Sequence, residues 1–395
     1  MGILLTIFFL AGASSLAYQI IWIRMFGLVF GGTVQSMSVI VAVFMGGLAL
    51  GSHVFGKWAE RVGNRVKMFG YMELALGTLA IIVYFGISHL APIIYGLPFE
   101  NDIHSFTGIA IRLLISSVLL LPPTMIMGGT LPVLIRGVTD RSDRIMANTS
   151  ILYAINALGA MTGAFIVGFF LIRFIGVSNS NFFAASVEIM MGVIAIAVSR
   201  NYASQPDTVL AADEPETATA AVSEKGYRYF TALFLTGFAG LTLEMVWLRM
   251  LLLVVNNTIY PYTIVITIFL FGLGAGGYVL PWVVPERKRT DRTFGLIIAI
   301  MAVTVAIGFI LYPHTTSVAF NSSPSLYATF YRLSALTTVL FILLGFIPVF
   351  LMGLSLPIGL GLYAREVKGL SSRIGRLYAV NTVGSLLGSL ASVFW

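Results

Sequence analysis

The sequence predicts an all-α polytopic membrane protein with about eleven transmembrane helices in two parallel repeats. Three observations predict it: an apolar composition, recurring apolar runs of membrane-spanning length, and a second half that repeats the first in constant register. Of the 395 residues, 58% are hydrophobic and only 10% are charged. Since a soluble globular chain carries about 25% charged residues, lipid is the expected solvent.

Apolar runs of spanning length follow one another along the whole chain. A helix needs about 20 residues to cross the hydrocarbon core. We therefore expect spans near residues 4–29, 34–56, 67–92, 108–136, 147–174, 180–199, 228–255, 259–283, 293–312, 329–361 and 373–395. The fourth and tenth spans are long and contain prolines (Pro122, Pro123 and Pro348), so we expect them to be kinked or broken.

Basic residues mark one side of the membrane. They follow each of spans 2, 4, 8 and 10, as in Arg61, Arg136, Arg289 and Arg373, while the intervening loops contain almost none. The positive-inside rule then places the N-terminus in the cytoplasm. The acidic stretch 200–226 reads as a cytoplasmic linker. It separates a first membrane repeat of six helices (1–199) from a second repeat of five (227–395).

The two halves align without gaps. Arg24 matches Arg249, an offset of 225 residues (249 − 24), and the same offset recurs in three further blocks. The matched pairs include Trp22 with Trp247, Gly51 with Gly276, Met127 with Met352, and Asn156 with Asn381. Six spans precede the second copy, so both copies enter the membrane in the same direction and form parallel repeats. A sixth helix of the second repeat is expected beyond Trp395.

Several functional classes are disfavoured by composition. The chain has no cysteine, and its four histidines (His53, His89, His104 and His314) are scattered, so no disulfide, metal site or cofactor is expected. The net charge of +7 comes from short loops, where orientation signals lie, so nucleic acid is not expected as a partner. The lipid bilayer is the expected partner.

Ionisable residues within spans are the strongest functional signal, because a charge at a helix centre costs about 2.5–3.5 kcal/mol to insert. They are Glu73, Glu188 and Glu244. Gln19 occupies the position equivalent to Glu244, and we predict that Gln19, Glu73 and Glu244 bind a cation or amine at the central interface, with Tyr18 nearby. An interhelical hydrogen bond without a ligand is an equally open reading. The repeated Asn156 and Asn381 allow the same two readings, a packing contact with an interhelical hydrogen bond or a position along a substrate path.

Two resemblances to known families follow from motifs. The segment Gly56–Arg65 resembles the loop between the second and third helices of major facilitator proteins, which implies that Glu60, Arg61 and Arg65 brace a cytoplasmic gate. Asn64 departs from the usual basic residue, and residues 281–288 of the second copy have lost the pattern. More specifically, the membrane region of bacterial fused major-facilitator/spermidine-synthase-like proteins is similar to residues 12–24, 237–249 and 71–74 and to the paired Tyr-Ala-x-Asn-x-x-Gly segments.

That resemblance implies a multi-pass protein of the bacterial inner (plasma) membrane. It also implies a cytoplasmic aminopropyltransferase-like domain, but no glycine-rich nucleotide-binding turn is present, so enzymatic activity is left open. We rank first a transporter of a small cationic or zwitterionic metabolite, such as a polyamine or amino-acid derivative. The alternatives are a membrane anchor for a spermidine-synthase-like domain supplied elsewhere and a non-transporting subunit that binds partners in a membrane complex.

Overall fold

The computed structural model describes eleven α-helices. The described residues are 2–31, 34–95, 106–139, 144–202, 224–252, 259–285, 288–321, 326–364 and 369–392. The helices are α1 (Gly2–Phe30), α2 (Val34–Arg61), α3 (Arg65–Tyr95), α4 (Phe106–Val138), α5 (Ile145–Ile166), α6 (Ile172–Val198), α7 (Glu224–Leu252), α8 (Ile259–Val283), α9 (Asp291–Asn321), α10 (Leu326–Tyr363) and α11 (Leu370–Ala391). Most of the predicted linker, and Trp395, lie outside the described residues.

Nine stretches of the described chain are long and apolar enough to cross a membrane. One of them, Ile145–Asn201, has 57 residues and is divided at Gly176, whose φ of 80° and ψ of 172° are not helical. It therefore supplies two crossings: α5 with the π-helical turn Val167–Leu171, and the larger part of α6. The predicted all-helical, multi-pass architecture is confirmed.

Helix α11 falls outside those nine stretches. It carries Arg373, Arg376 and several serines, which lower its hydropathy. It packs between α2 and α7, while Val383 and Leu387 remain 40% and 43% exposed.

The two helices that were expected to be kinked or broken at prolines, α4 and α10, are continuous. Helix α4 passes through Pro122, Pro123 and Pro132, and α10 passes through Pro348 and Pro357, so the expected break is absent from both. Hydroxyl groups supply hydrogen bonds beside the prolines of α4: Thr124 Oγ1 lies 2.6 Å from the Leu120 carbonyl oxygen and 3.2 Å from that of Leu121.

The repeat is visible in how the helices pack. At equivalent places in both halves, a glycine of one helix lies against a backbone carbonyl of another, where any Cβ would overlap the oxygen. The equivalent contacts are Gly12–Asn156 and Gly237–Asn381, Gly159–Phe9 and Gly384–Phe234, Gly51–Met125 and Gly276–Phe350, and Gly128–Leu48 and Gly353–Leu273. Small residues thus bring α1 onto α5 and α2 onto α4, and likewise α7 onto α11 and α8 onto α10.

The repeats meet each other at two equivalent places, α5 against α8 and α2 against α11. At the first, Ser150 Oγ donates a hydrogen bond of 2.8 Å to the Gly277 carbonyl oxygen. At the second, Gly375 packs directly on the Ser52 carbonyl. Residues 375 and 277 are the counterparts of 150 and 52 at the offset of 225, so the two contacts are related by a pseudo-two-fold axis.

Candidate functional site

Three helices from both repeats bring polar side chains together in the interior. Gln19 of α1 donates a hydrogen bond from Nε2 to the Tyr262 hydroxyl of α8, at 3.2 Å. Both residues are buried, with 3% and 2% exposure. Glu244 of α7, 5% exposed, lies close enough for its carboxyl group to act electrostatically on that hydroxyl. We call Gln19, Glu244 and Tyr262 the interface cluster.

Glu244 has no basic partner within the part of the chain that the structure describes. An isolated carboxylate in apolar surroundings is costly, and it is stabilised by a proton, by a counter-charge or by hydrogen bonds. The interface cluster therefore has the chemistry to receive a cationic group: one acidic side chain flanked by an amide and a phenol.

A second polar group lies within the first repeat. Glu73 of α3 and Glu188 of α6 are both fully buried, and their carboxyl groups adjoin each other. Ser14 and Tyr18 of α1 lie beside them. We call Glu73 and Glu188 the carboxyl pair. The structure thus places Glu73 with Glu188, and places Gln19 and Glu244 with Tyr262.

Asn156 and Asn381 lie at helix crossings. The backbone carbonyl and the side-chain oxygen of Asn156 both face Gly12, and those of Asn381 face Gly237 in the same way. The two asparagines thus occupy equivalent positions where α5 crosses α1 and where α11 crosses α7.

Glu60, at the end of α2, bridges the two repeats. Its Oε1 accepts hydrogen bonds from the backbone amides of Ser371 (2.6 Å) and Ser372 (3.3 Å), in the first turn of α11. Its Oε2 lies 3.7 Å from Arg136 Nε of α4. A carboxylate at this position satisfies amides that the helix itself cannot and complements the positive end of the helix dipole.

The two arginines predicted beside Glu60 differ in environment. Arg65 is buried and donates from Nε to the Ala59 carbonyl oxygen at 3.1 Å, which holds the turn between α2 and α3. Arg61 is exposed. In the second repeat, Arg289 Nε donates to the Val284 carbonyl oxygen at 2.9 Å, and Val284 is the counterpart of Ala59. Arg289 thus makes the same kind of contact as Arg65, from a position displaced by one residue.

Sequence reasoning did not single out two residues of these groups, Tyr262 and Ser14. Tyr262 is one of 16 tyrosines and is equivalent to Met37, so neither its type nor the repeat marks it. The sequence marks Trp22 through its match with Trp247 and through its position near Gln19, where it could line a cavity with Tyr18. In the structure it stacks on Tyr18, with ring centroids 5.1 Å apart, and donates from Nε1 to Asn181 Oδ1 at 3.2 Å.

Compared with known protein families and with curated protein sequences, the chain matches none. Among solved structures it is similar to tetrameric PepTSo2 in one crystal form, with 14% identity and a TM-score of 0.43 over 100% of this chain and 96% of that one. A second crystal form of the same protein is 14% identical, with a TM-score of 0.41 over 98% of this chain and 95% of that one. A bacterial homologue of the human lysosomal transporter Spinster, in an inward-facing and occupied conformation, is 13% identical. Its TM-score is 0.41 over 99% of this chain and 93% of that one. Likenesses this distant assign no function.

Proposed function

We propose that this protein is a secondary transporter of the bacterial inner membrane and that it moves a small cationic or zwitterionic amine. The observation that supports this most is Glu244, a nearly buried carboxyl group without a described basic partner where α1, α7 and α8 meet between the repeats. Acidic residues inside membrane spans commonly mark substrate or ion pathways. Parallel repeats that meet along a pseudo-two-fold axis suit alternating access around a site between them.

In this proposal the ligand's ammonium group pairs with Glu244. A charge-assisted hydrogen bond of this kind is roughly twice as strong as a neutral one, and it supplies the counter-charge that the carboxylate lacks. Gln19 and Tyr262 orient the ligand through their oxygen atoms. Because these residues belong to different repeats, occupancy of the site changes the contact between the repeats.

The contacts of Glu60 form one gate. Besides Glu60 and the α11 amides, Ser371 Oγ donates to the Pro132 carbonyl oxygen at 3.0 Å, so α11 is tied to both α2 and α4. Opening at this end requires these bonds to break. By the positive-inside rule we expect this end, with Arg61 and Arg65, and the N-terminus to face the cytoplasm.

Only the resemblance to a known family narrows the chemical class of the proposed substrate. The likeness of residues 12–24 and 237–249 to spermidine-synthase-like fused proteins favours a polyamine or amino-acid derivative. No feature of the described residues favours the two other roles, a membrane anchor for a synthase-like domain or a non-transporting subunit.

Uptake by purified protein in proteoliposomes tests the proposal. Radiolabelled spermidine, putrescine and lysine are compared with glutamate, and we expect accumulation of at least one amine and not of glutamate. Glu244→Gln, which keeps the side-chain volume and removes the charge, is expected to lower that uptake at least about tenfold, the effect of 1.4 kcal/mol. Tyr260→Phe, at an exposed position on α8, is the matched control. Wild-type rates in a correctly folded Glu244→Gln protein, or no uptake of any amine, would overturn the proposal.

A further inference from the structure

The carboxyl pair is an unusual arrangement for a membrane interior. Glu73 and Glu188 are completely buried, and none of their four carboxyl oxygens has a hydrogen bond of good geometry to a donor among the described residues, although the Ser14 hydroxyl lies close enough to Glu188 to act on it. The Tyr18 hydroxyl lies beside both carboxyl groups and is likewise buried without a described partner. Three polar side chains from α3, α6 and α1 thus face one another with their hydrogen-bonding capacity unused.

No described cation neutralises the pair. The groups that face it are Ser14 and Tyr18 from α1 and the two glutamates themselves. From α4, which packs on α3, the basic residues lie near the ends of the helix and are engaged elsewhere: Arg112 with the Phe30 ring and Arg136 with Glu60.

Two adjoining negative charges in a low-dielectric interior repel each other strongly, so such carboxyl groups do not both ionise. One proton removes the repulsion and forms a short O–H···O⁻ hydrogen bond between the groups. A single proton therefore gives both carboxyl groups a partner, beside the Tyr18 hydroxyl.

The geometry of α1 connects this pair to the interface cluster. Tyr18 and Gln19 are consecutive residues, so on a helix of 3.6 residues per turn their side chains point about 100° apart. Tyr18 faces the carboxyl pair, and Gln19 bonds to Tyr262 of the other repeat. A rotation or shift of α1 at one contact therefore moves the other.

We propose that the Glu73–Glu188 pair is a proton-binding site that takes up and releases one proton in each cycle, and that α1 transmits its occupancy to the interface cluster. Uptake forms one carboxyl O–H bond and removes one negative charge. Release breaks that bond and leaves two carboxylates whose repulsion favours separation of α3 from α6, movement of the adjoining α1 and entry of water, so both groups ionise only as the pair opens. The coupling to the interface cluster rests on the proposed transport function, whereas proton binding by the pair does not.

Infrared difference spectroscopy in lipid nanodiscs tests proton binding without any substrate. Spectra at acidic and alkaline pH show the C=O band of protonated carboxyl groups, and we expect a band that persists in Glu244→Gln and is lost or displaced in both Glu73→Gln and Glu188→Gln. Glutamine is nearly isosteric with glutamate, and size-exclusion chromatography checks folding. An identical band in wild type and both variants would overturn the assignment. So would displacement of the band by sodium chloride at constant pH, since that would indicate a metal-cation site.

Transport measurements then test the coupling. With one proton per substrate, an imposed gradient of one pH unit sustains about tenfold accumulation. We expect Glu73→Gln to abolish this gradient-driven accumulation while retaining substrate exchange at equal pH, and Tyr18→Phe to weaken accumulation while retaining the infrared band. Gradient-driven accumulation that is unchanged in both variants would refute the coupling. Loss of exchange as well as accumulation in Glu73→Gln would count against it too.

Discussion

Gln19 and Tyr262, separated by 243 residues in the chain, form a hydrogen bond of 3.2 Å between the two repeats. The bond lies beside Glu244, so the same contact both joins the repeats and borders the proposed substrate position. In a membrane interior, where water does not compete, each polar side chain depends on such a partner.

Replacing Tyr262 by phenylalanine removes the acceptor of the Gln19 amide and leaves that donor buried. We expect a loss of about 1–3 kcal/mol in the free energy of unfolding and a higher KM for uptake. Thermal unfolding in detergent and initial uptake rates measure the two effects. Tyr260→Phe, on the same helix at 36% exposure, should change neither. Equal effects of the two substitutions would contradict the role of Tyr262.

Replacing Glu60 by alanine removes the acceptor for the Ser371 and Ser372 amides. Loss of a helix N-terminal cap costs about 0.5–2 kcal/mol, so hydrogen exchange in the first turn of α11 should accelerate about 2- to 30-fold. Exchange measured by mass spectrometry on peptides that cover residues 369–376 reports this. Glu60→Gln keeps an acceptor oxygen and should lie between wild type and alanine. Arg61→Ala, at the exposed neighbour, is the control, and faster exchange there of the same size would contradict the prediction.

Replacing Gly51 by alanine places a methyl group on the Met125 carbonyl, at the closest approach of α2 and α4. Overpacking of this kind typically costs about 1–3 kcal/mol, and Gly276→Ala should have the same effect against Phe350. Gly295→Ala on α9 meets nothing within 4 Å and should stabilise the helix by about 0.5–1 kcal/mol. The shifts in Tm are therefore expected to have opposite signs. A common sign would rule out the close approach.

Replacing Gly176 by alanine tests the turn between the fifth and sixth crossings. At φ 80° and ψ 172° the backbone occupies a region that is essentially restricted to glycine, and strain there costs about 1–3 kcal/mol. No atom lies within 4 Å of the added Cβ, so the loss comes from the backbone alone. Gly63→Ala, also without contacts but at an ordinary φ, should be nearly neutral. Unfolding by denaturing detergent compares the two.

Hydropathy and the repeat predict different parts of the fold. Most crossings are predictable because a spanning helix requires a long apolar run. Helix α11 is the exception, since its arginines and serines lower its hydropathy. The alignment of α11 with the fifth span at the offset of 225 predicts this helix instead. The division of the 57-residue stretch at Gly176 likewise follows from one residue's backbone angles rather than from composition.

The side-chain groups are less predictable. The offset of 225 pairs Gln19 with Glu244, and both lie near Tyr262 in the structure. Tyr262 corresponds to Met37 of the first repeat, so neither the repeat nor a motif predicts it. The partner of Glu73 could not be predicted because it depends on how α3 is rotated against α6. Glu73 and Glu188 are recognisable in the sequence as glutamates within predicted spans, but only the helix packing brings them together.

The contacts of Ser150 with Gly277 and of Gly375 with Ser52 have one further consequence. Numbered by the first unit, position 52 (Ser52 and its counterpart Gly277) of each unit touches position 150 (Ser150 and its counterpart Gly375) of the other. This is the pattern of an isologous dimer interface, where residue i meets j and j meets i. The covalent link between the halves is therefore not needed to define how they recognise each other. A polypeptide of only one unit would carry both complementary surfaces, so the present chain has the contact geometry of a homodimer whose two subunits are joined, with different residues at the equivalent positions Ser150 and Gly375.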